Sequence, residues 1–210
     1  MTEIILVRHG ETAWNIAEVF RGRIDIKLNK NGIKQAELLA AYLSKVKVAA
    51  IYSSPLKRAL KTAEIIADYH KTKVNIASGL IDFNYGEWQG LSHQEVKDRY
   101  KELYREWLNH PDRVKMPSGE SLNDVSKRVV DAVNTVIKRS TGTVVLVSHR
   151  VVNKVLICAL LGLDNSHFWN IKQDTCGITI FSYENGRFTL TRHNDTSYLK
   201  PLHKAPLGDF

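Results

Sequence analysis

Apolar residues in this chain gather into short blocks with two different spacings. Ile4-Ile5-Leu6-Val7 is a continuous apolar run that stops at Arg8-His9-Gly10, and Thr143-Val144-Val145-Leu146-Val147 repeats the design and stops at Ser148-His149-Arg150. Such runs predict strands covered on both faces, as in a parallel sheet. Ile33, Ala36, Ala40 and Leu43, with Leu39 beside them, recur at helical intervals and predict a helix over 33–44. Residues 48–52 and 74–77 predict two further strands. Between these strands Ser54-Pro55 predicts a helix start, with Ser54 as N-cap and Pro55 at the first helical position. Its buried stripe is Leu56, Leu60, Ala63, Ile66 and Ala67, ending near residue 69.

Ser92 is expected to cap an amphipathic helix reaching about residue 108, and Ser121 with Asp124 a second helix reaching about 138. A third, over 151–161, closes at Gly162. Residues 178–183 and 187–191, joined through Asn185-Gly186, predict a terminal hairpin. Residues 15–30 read as an irregular loop turning at Gly22, and 109–120 as a connector. Residues 78–90 carry three glycines and three aromatic residues, the composition of an ordered functional loop. Strands alternating with helices predict a three-layer α/β/α sandwich with a mostly parallel central sheet. Ligands of such sheets bind beyond the carboxyl ends of the strands. Two predicted strands end in histidine beside arginine, so as neighbours they would aim two imidazoles into one crevice.

With 210 residues the expectation is one domain, over 1–199, followed by a tail over 200–210 without periodic pattern, expected to be partly disordered. The formal charge of +8 raises the question of nucleic acid. Between residues 95 and 115, however, Lys97, Arg99, Lys101, Arg105, Arg113 and Lys115 alternate with Glu95, Asp98, Glu102, Glu106 and Asp112, a solvated face of mixed sign. A small anionic substrate fits the excess charge better, and no nucleic-acid partner is expected. No apolar run is long enough to span a membrane. Cys158 and Cys176, both in apolar surroundings, read as buried free thiols in a reducing, cytoplasmic compartment. No spacing of His, Cys, Asp and Glu suggests a metal, and His167 and His193 stand alone. No cofactor is expected. The terminal hairpin offers an edge for pairing, so a homodimer is an option.

The polar landmarks form an ordered series. Leu6-Val7-Arg8-His9-Gly10-Glu11-Thr12, with Asn15 after it, is followed by Ser53-Ser54-Pro55-Leu56-Lys57-Arg58-Ala59 and by Asp82-Phe83-Asn84-Tyr85-Gly86-Glu87-Trp88-Gln89-Gly90. Gly119-Glu120-Ser121 and Val147-Ser148-His149 complete it. The series resembles the histidine phosphatase superfamily, the phosphoglycerate-mutase-like group, over the chain to about residue 195. The resemblance implies a cofactor-independent phosphatase that hydrolyses phosphate monoesters of small metabolites. It implies that His9 attacks phosphorus and becomes phosphohistidine, which water then hydrolyses. An imidazole supplies the neutral nucleophile, and fixed cations stabilise the transferring group. Arg8 and Arg58 fit that second role, because arginine matches phosphate with a two-pronged fork. His149 would donate a hydrogen bond to the phosphoryl oxygens, and Asn15 could donate through its amide or serve as a loop cap. Thr12 is as well explained by local backbone bonding.

Asp82 is the expected general acid for the leaving alkoxide, where the family more often has Glu; Glu11 and Glu87 are weaker substitutes. Arg150, where many members have Gly, and Arg21 before Gly22, where Gln is common, add positive charge at the expected pocket mouth. They point to a substrate with a second negative charge, although Arg150 is equally well read as a surface residue at a helix start. Trp14, Phe20, Tyr85 and Trp88 either wall the pocket or pack as core. The alternatives are a phosphoglycerate mutase, whose members typically carry an inserted segment that this chain lacks, and a non-catalytic phospho-ligand-binding module.

Overall fold

The long apolar runs become the middle of a six-stranded sheet ordered β3-β2-β4-β1-β5-β6 in a computed structural model described over residues 1–202. In chain order the elements are β1 (Thr2–Arg8), α1 (Ala13–Ile16), α2 (Lys30–Leu43), β2 (Val48–Ser53), α3 (Lys57–His70) and β3 (Val74–Ile76). Next come α4 (His93–Arg99), α5 (Lys101–Asn109), α6 (Leu122–Arg139), β4 (Gly142–Ser148), α7 (Arg150–Leu160), β5 (Ile178–Glu184) and β6 (Arg187–Asp195). Strands β3, β2, β4 and β1 pair in parallel, while β5 runs antiparallel to both its neighbours. Alternation within β1 feeds two cores. Ile4 and Leu6 pack with Val144, Leu146 and the apolar faces of α6 and α7, whereas Ile5 and Val7 pack with Val145, Val147 and those of α2 and α3. That is the expected three-layer sandwich.

The β1–β4 register pairs Val7 with Val147 and Arg8 with Ser148. His9 and His149 therefore leave adjacent strand ends together. From there the chain departs in opposite directions, to β2 on one side and to β5 on the other, which opens a crevice at the carboxyl edge.

Three elements differ from expectation. Helix α3 begins at Lys57 with no side-chain cap, and Ser54-Pro55 stays outside it. The hydroxyl of Ser54 is drawn instead to His149. The helix expected from 92 to 108 breaks at Tyr100 (φ −128°, ψ 40°) into α4 and α5. The break lets Tyr100 pack on Trp88 and donate its hydroxyl hydrogen to Glu87 at 3.0 Å. The tail expected from residue 200 begins inside an ordered 3₁₀ turn, Ser197–Leu202, and residues 203–210 lie outside the described part of the chain. Both cysteines are buried and free, and the mixed charges of α4 and α5 pair along the helices, Arg99 with Glu95 and Arg105 with Glu102. Among the described residues no helix is long and apolar enough to cross a membrane.

Candidate active site

The loop after β1 has almost no freedom. The amide of His9 donates to the Ser148 carbonyl at 3.0 Å, and that of Gly10 to the Thr62 hydroxyl at 3.2 Å. A Cβ on Gly10 would lie 2.4 Å from the Gly32 carbonyl oxygen, so only glycine lets the loop lie against the first turn of α2. His9 Nδ1 sits 2.7 Å from the Gly10 carbonyl oxygen. A carbonyl only accepts, so Nδ1 carries the proton and Nε2 keeps its lone pair. Burial, followed by the charges of Arg58, His149, Arg21 and Arg8, holds the imidazole well below its ordinary pKa. It is a neutral base in a cationic setting.

His149 faces it, with ring centroids 5.2 Å apart. Its Nε2 lies 2.7 Å from the Ser54 hydroxyl oxygen, which also accepts from the Leu56 amide. With the hydroxyl proton directed to Nε2, the ring proton sits on Nδ1, which has no hydrogen-bond partner and lies 3.4 Å from Asp82 Oδ2. Burial and neighbouring arginines, Arg58 first, also keep His149 neutral.

Arg58 is fully buried near the start of α3, where free backbone amides add to its attraction for an anion. Its guanidinium donates to the carbonyls of Gly22 (2.7 Å) and Ile24 (3.0 Å) and to Asp82 Oδ2 (2.7 Å). Its Nε is buried without a hydrogen-bond partner. Gly22 holds this arrangement with φ +51°, and a Cβ there would collide with the Gln89 side chain. Arg8 donates to the Gln173 carbonyl. Burial, then the charges of Arg8, Arg150 and Arg58, push Arg21 down to about 9.

Above these groups lies a cleft of about 890 Å³ lined by Arg8, Asn15, Arg21, Gly22, Asp82 and Arg150, all residues expected there. His9 (1% exposed), His149 (0%) and Arg58 (0%) lie beneath that surface. The Asp82 carboxylate lies on Arg58 and beside His149 and lines the cleft. Asn15 spends its carbonyl oxygen on Thr12, taking both the amide and the hydroxyl, so Thr12 has the local role and only the Asn15 amide nitrogen can face a ligand. Glu87 is exposed and bonded to Tyr100 and Ser118, outside the cleft; Glu11 lines it and accepts from Asn29. Phe20 and Tyr85 both line the cleft and belong to the core, Trp14 only lines it, and Trp88 is wholly core. His167 and His193 bond to Asp164 and Thr179, away from the cleft. Among the described residues no group of His, Cys, Asp and Glu could hold a metal ion.

The profile described as histidine phosphatase superfamily (branch 1) matches residues 4–196. The chain belongs to the histidine phosphatase superfamily. It is 39% identical over 210 residues to phosphoserine phosphatase 1 of Hydrogenobacter thermophilus, covering 98% of this chain and 100% of that one. The solved phosphoserine phosphatase of Entamoeba histolytica, in complex with 3-phosphoglyceric acid, superposes with a TM-score of 0.84 at 32% identity, covering 95% of this chain and 100% of that one. A mycobacterial glucosyl-3-phosphoglycerate phosphatase superposes with a TM-score of 0.87 at 26% identity, covering 92% and 99%. The chain is a small-metabolite phosphatase of the histidine phosphatase type.

Within this histidine phosphatase, sequence reasoning left several groups without a role. Glu120 accepts from Arg23, from Arg128 and from the Asn84 amide. Arg128 spreads its remaining donors over the carbonyls of Gly79, Ile81 and Asp82, and Arg23 Nε also reaches the Asp82 carbonyl. Together they brace the backbone that carries Asp82. The Gly119-Glu120-Ser121 motif was the available signal for Glu120. Arg128 had none, since one arginine on an amphipathic helix looks like any solvated charge. Ser54, Thr62 and Gln173 were likewise hidden, because their partners lie 95, 52 and 165 residues away.

Proposed function

We propose that His9 is the nucleophile of a two-step hydrolysis. Nε2 forms a bond to phosphorus, the ester P–O bond breaks, and the leaving alkoxide takes a proton from Asp82. Water then attacks the phosphohistidine, the Asp82 carboxylate takes the water proton, and inorganic phosphate leaves with Nε2 restored. Arg8, Arg58 and the Nδ1–H of His149 hold the phosphoryl oxygens while charge builds on them. Asn15, Arg21 and the Gly22 turn frame that group. Asp82 fits the proton-transfer role because its carboxylate lines the cleft, on Arg58 at 2.7 Å and 3.4 Å from His149 Nδ1.

The observation that carries this reading is the locked tautomer of His9: Nδ1–H on the Gly10 carbonyl, with the free lone pair on Nε2 among arginines. The named substrates of the relatives, phosphoserine and glucosyl-3-phosphoglycerate, make O-phosphoserine the first compound to test. The free buried thiols fit a reducing, cytoplasmic setting. The experiment is phosphate release from a panel of phosphate esters, with acid-quenched trapping of the phosphoenzyme. His9→Ala should abolish both turnover and the trapped species; undiminished turnover in that variant would refute the assignment. Conversion of 3-phosphoglycerate to 2-phosphoglycerate without phosphate release would favour the mutase alternative instead.

A further inference from the structure

The cleft is lined by a further arginine, Arg150, besides Arg8 and Arg21. Arg150 opens α7 immediately after His149, so its backbone is as fixed as the catalytic edge itself. Its side chain is half-buried and hydrogen-bonded to Tyr85, and both line the cleft. Tyr85 is in turn wedged edge-on against Phe20 and Phe83, with centroids at 5.0 and 4.7 Å, and Phe20 stacks on His93 at 4.2 Å. The guanidinium is therefore seated on a rigid aromatic floor. The lysines that share the cleft, Lys30, Lys34 and Lys172, are exposed, and Lys172 is paired with Asp174 at 3.4 Å. Arg21, which also lines the cleft, feels the charges of Arg8, Arg150 and Arg58.

We propose that Arg150, seated on Tyr85, is a specificity residue that receives a carboxylate of the substrate while Arg8 and Arg58 hold its phosphate. A planar guanidinium fixed by an aromatic hydroxyl matches a carboxylate with two parallel hydrogen bonds, which a mobile lysine cannot do. The enzyme then selects phosphate monoesters of small hydroxy acids and hydroxy amino acids over esters of uncharged or purely cationic alcohols. The inference rests on the phosphatase reading above and adds the second recognition point to it.

O-Phosphoserine and O-phosphoethanolamine differ only in the carboxylate, so their ratio of kcat/KM isolates this contact. Wild-type enzyme should favour phosphoserine by about 10- to 100-fold, the range of a charge-assisted hydrogen-bonded pair. Arg150→Met should bring the ratio close to one, mainly through a higher KM for phosphoserine. Arg150→Lys, which keeps the charge and loses the fork, should restore part of the ratio. A wild-type ratio near one, or equal losses on both compounds in Arg150→Met, would overturn the proposal and place Arg150 with the phosphate. Failure of the phosphatase reading looks different: wild-type enzyme would then release no phosphate from either compound or from p-nitrophenyl phosphate.

Discussion

Two imidazoles buried as neutral bases make the stability of this enzyme depend on mild acid. His9 and His149 are both held well below the ordinary histidine pKa, by burial first and by Arg58 next. In the unfolded chain each titrates near 6.5, so as pH falls through that value the unfolded state takes up protons that the folded state refuses. Stability is complete above the unfolded pKa and is lost on acidification. For a histidine that stays neutral when folded, lowering the pH from about 7.5 to about 5.5 costs about 1.4 kcal/mol, hence about 2.7 kcal/mol for the pair. His93, pushed down to about 4 mainly by burial, and His70 and His193, lowered by partial burial, act in the same direction with smaller amplitude because solvent reaches them. Urea unfolding at constant ionic strength across these pH values measures the loss, and His149→Asn should cut it by about 1.4 kcal/mol whatever its own effect on overall stability. A wild-type loss below about 1 kcal/mol would mean that the buried pair is protonated in the folded protein, and the neutral-nucleophile reasoning would fall with it.

The brace under Asp82 should be separable from substrate binding: Arg128→Met removes five donated contacts and should cost about 2–4 kcal/mol of stability. It should lower kcat for p-nitrophenyl phosphate by about 10- to 100-fold with little change in KM, and an unchanged kcat in folded variant would refute the positioning role. Gly10→Ala puts a methyl group 2.4 Å from the Gly32 carbonyl and should displace the His9 loop from α2. The expected cost is about 1–3 kcal/mol in thermal or urea unfolding, with kcat down by about 100-fold. Ser54→Ala strips His149 Nε2 of its donor, which should cost about 1–3 kcal/mol and lower kcat by about tenfold in steady-state assays; a fully active variant would show that His149 needs no orienting hydroxyl.

What could be read from the chain and what could not divide along a physical line. Strands β1 and β4 are legible because both of their faces are covered, which forces continuous apolar runs, and the chain must leave such strands at the carboxyl edge where His9 and His149 stand. Their adjacency is a matter of sheet order across 140 residues, and no local pattern encodes it. Local rules failed at two particular places. Ser54-Pro55 has the form of a helix start, yet the serine hydroxyl does more for the fold by satisfying a buried histidine 95 residues away than by capping α3. The periodicity over 92–108 is helical throughout, yet the helix breaks at Tyr100, whose hydroxyl reaches Glu87 on the loop that carries Asp82. Arg128 looks solvated in sequence and is instead spent on that same loop. Each departure draws a polar group away from its local role toward the residues proposed to move phosphate. A chain whose elements otherwise obey propensity therefore marks its site by where propensity is overruled.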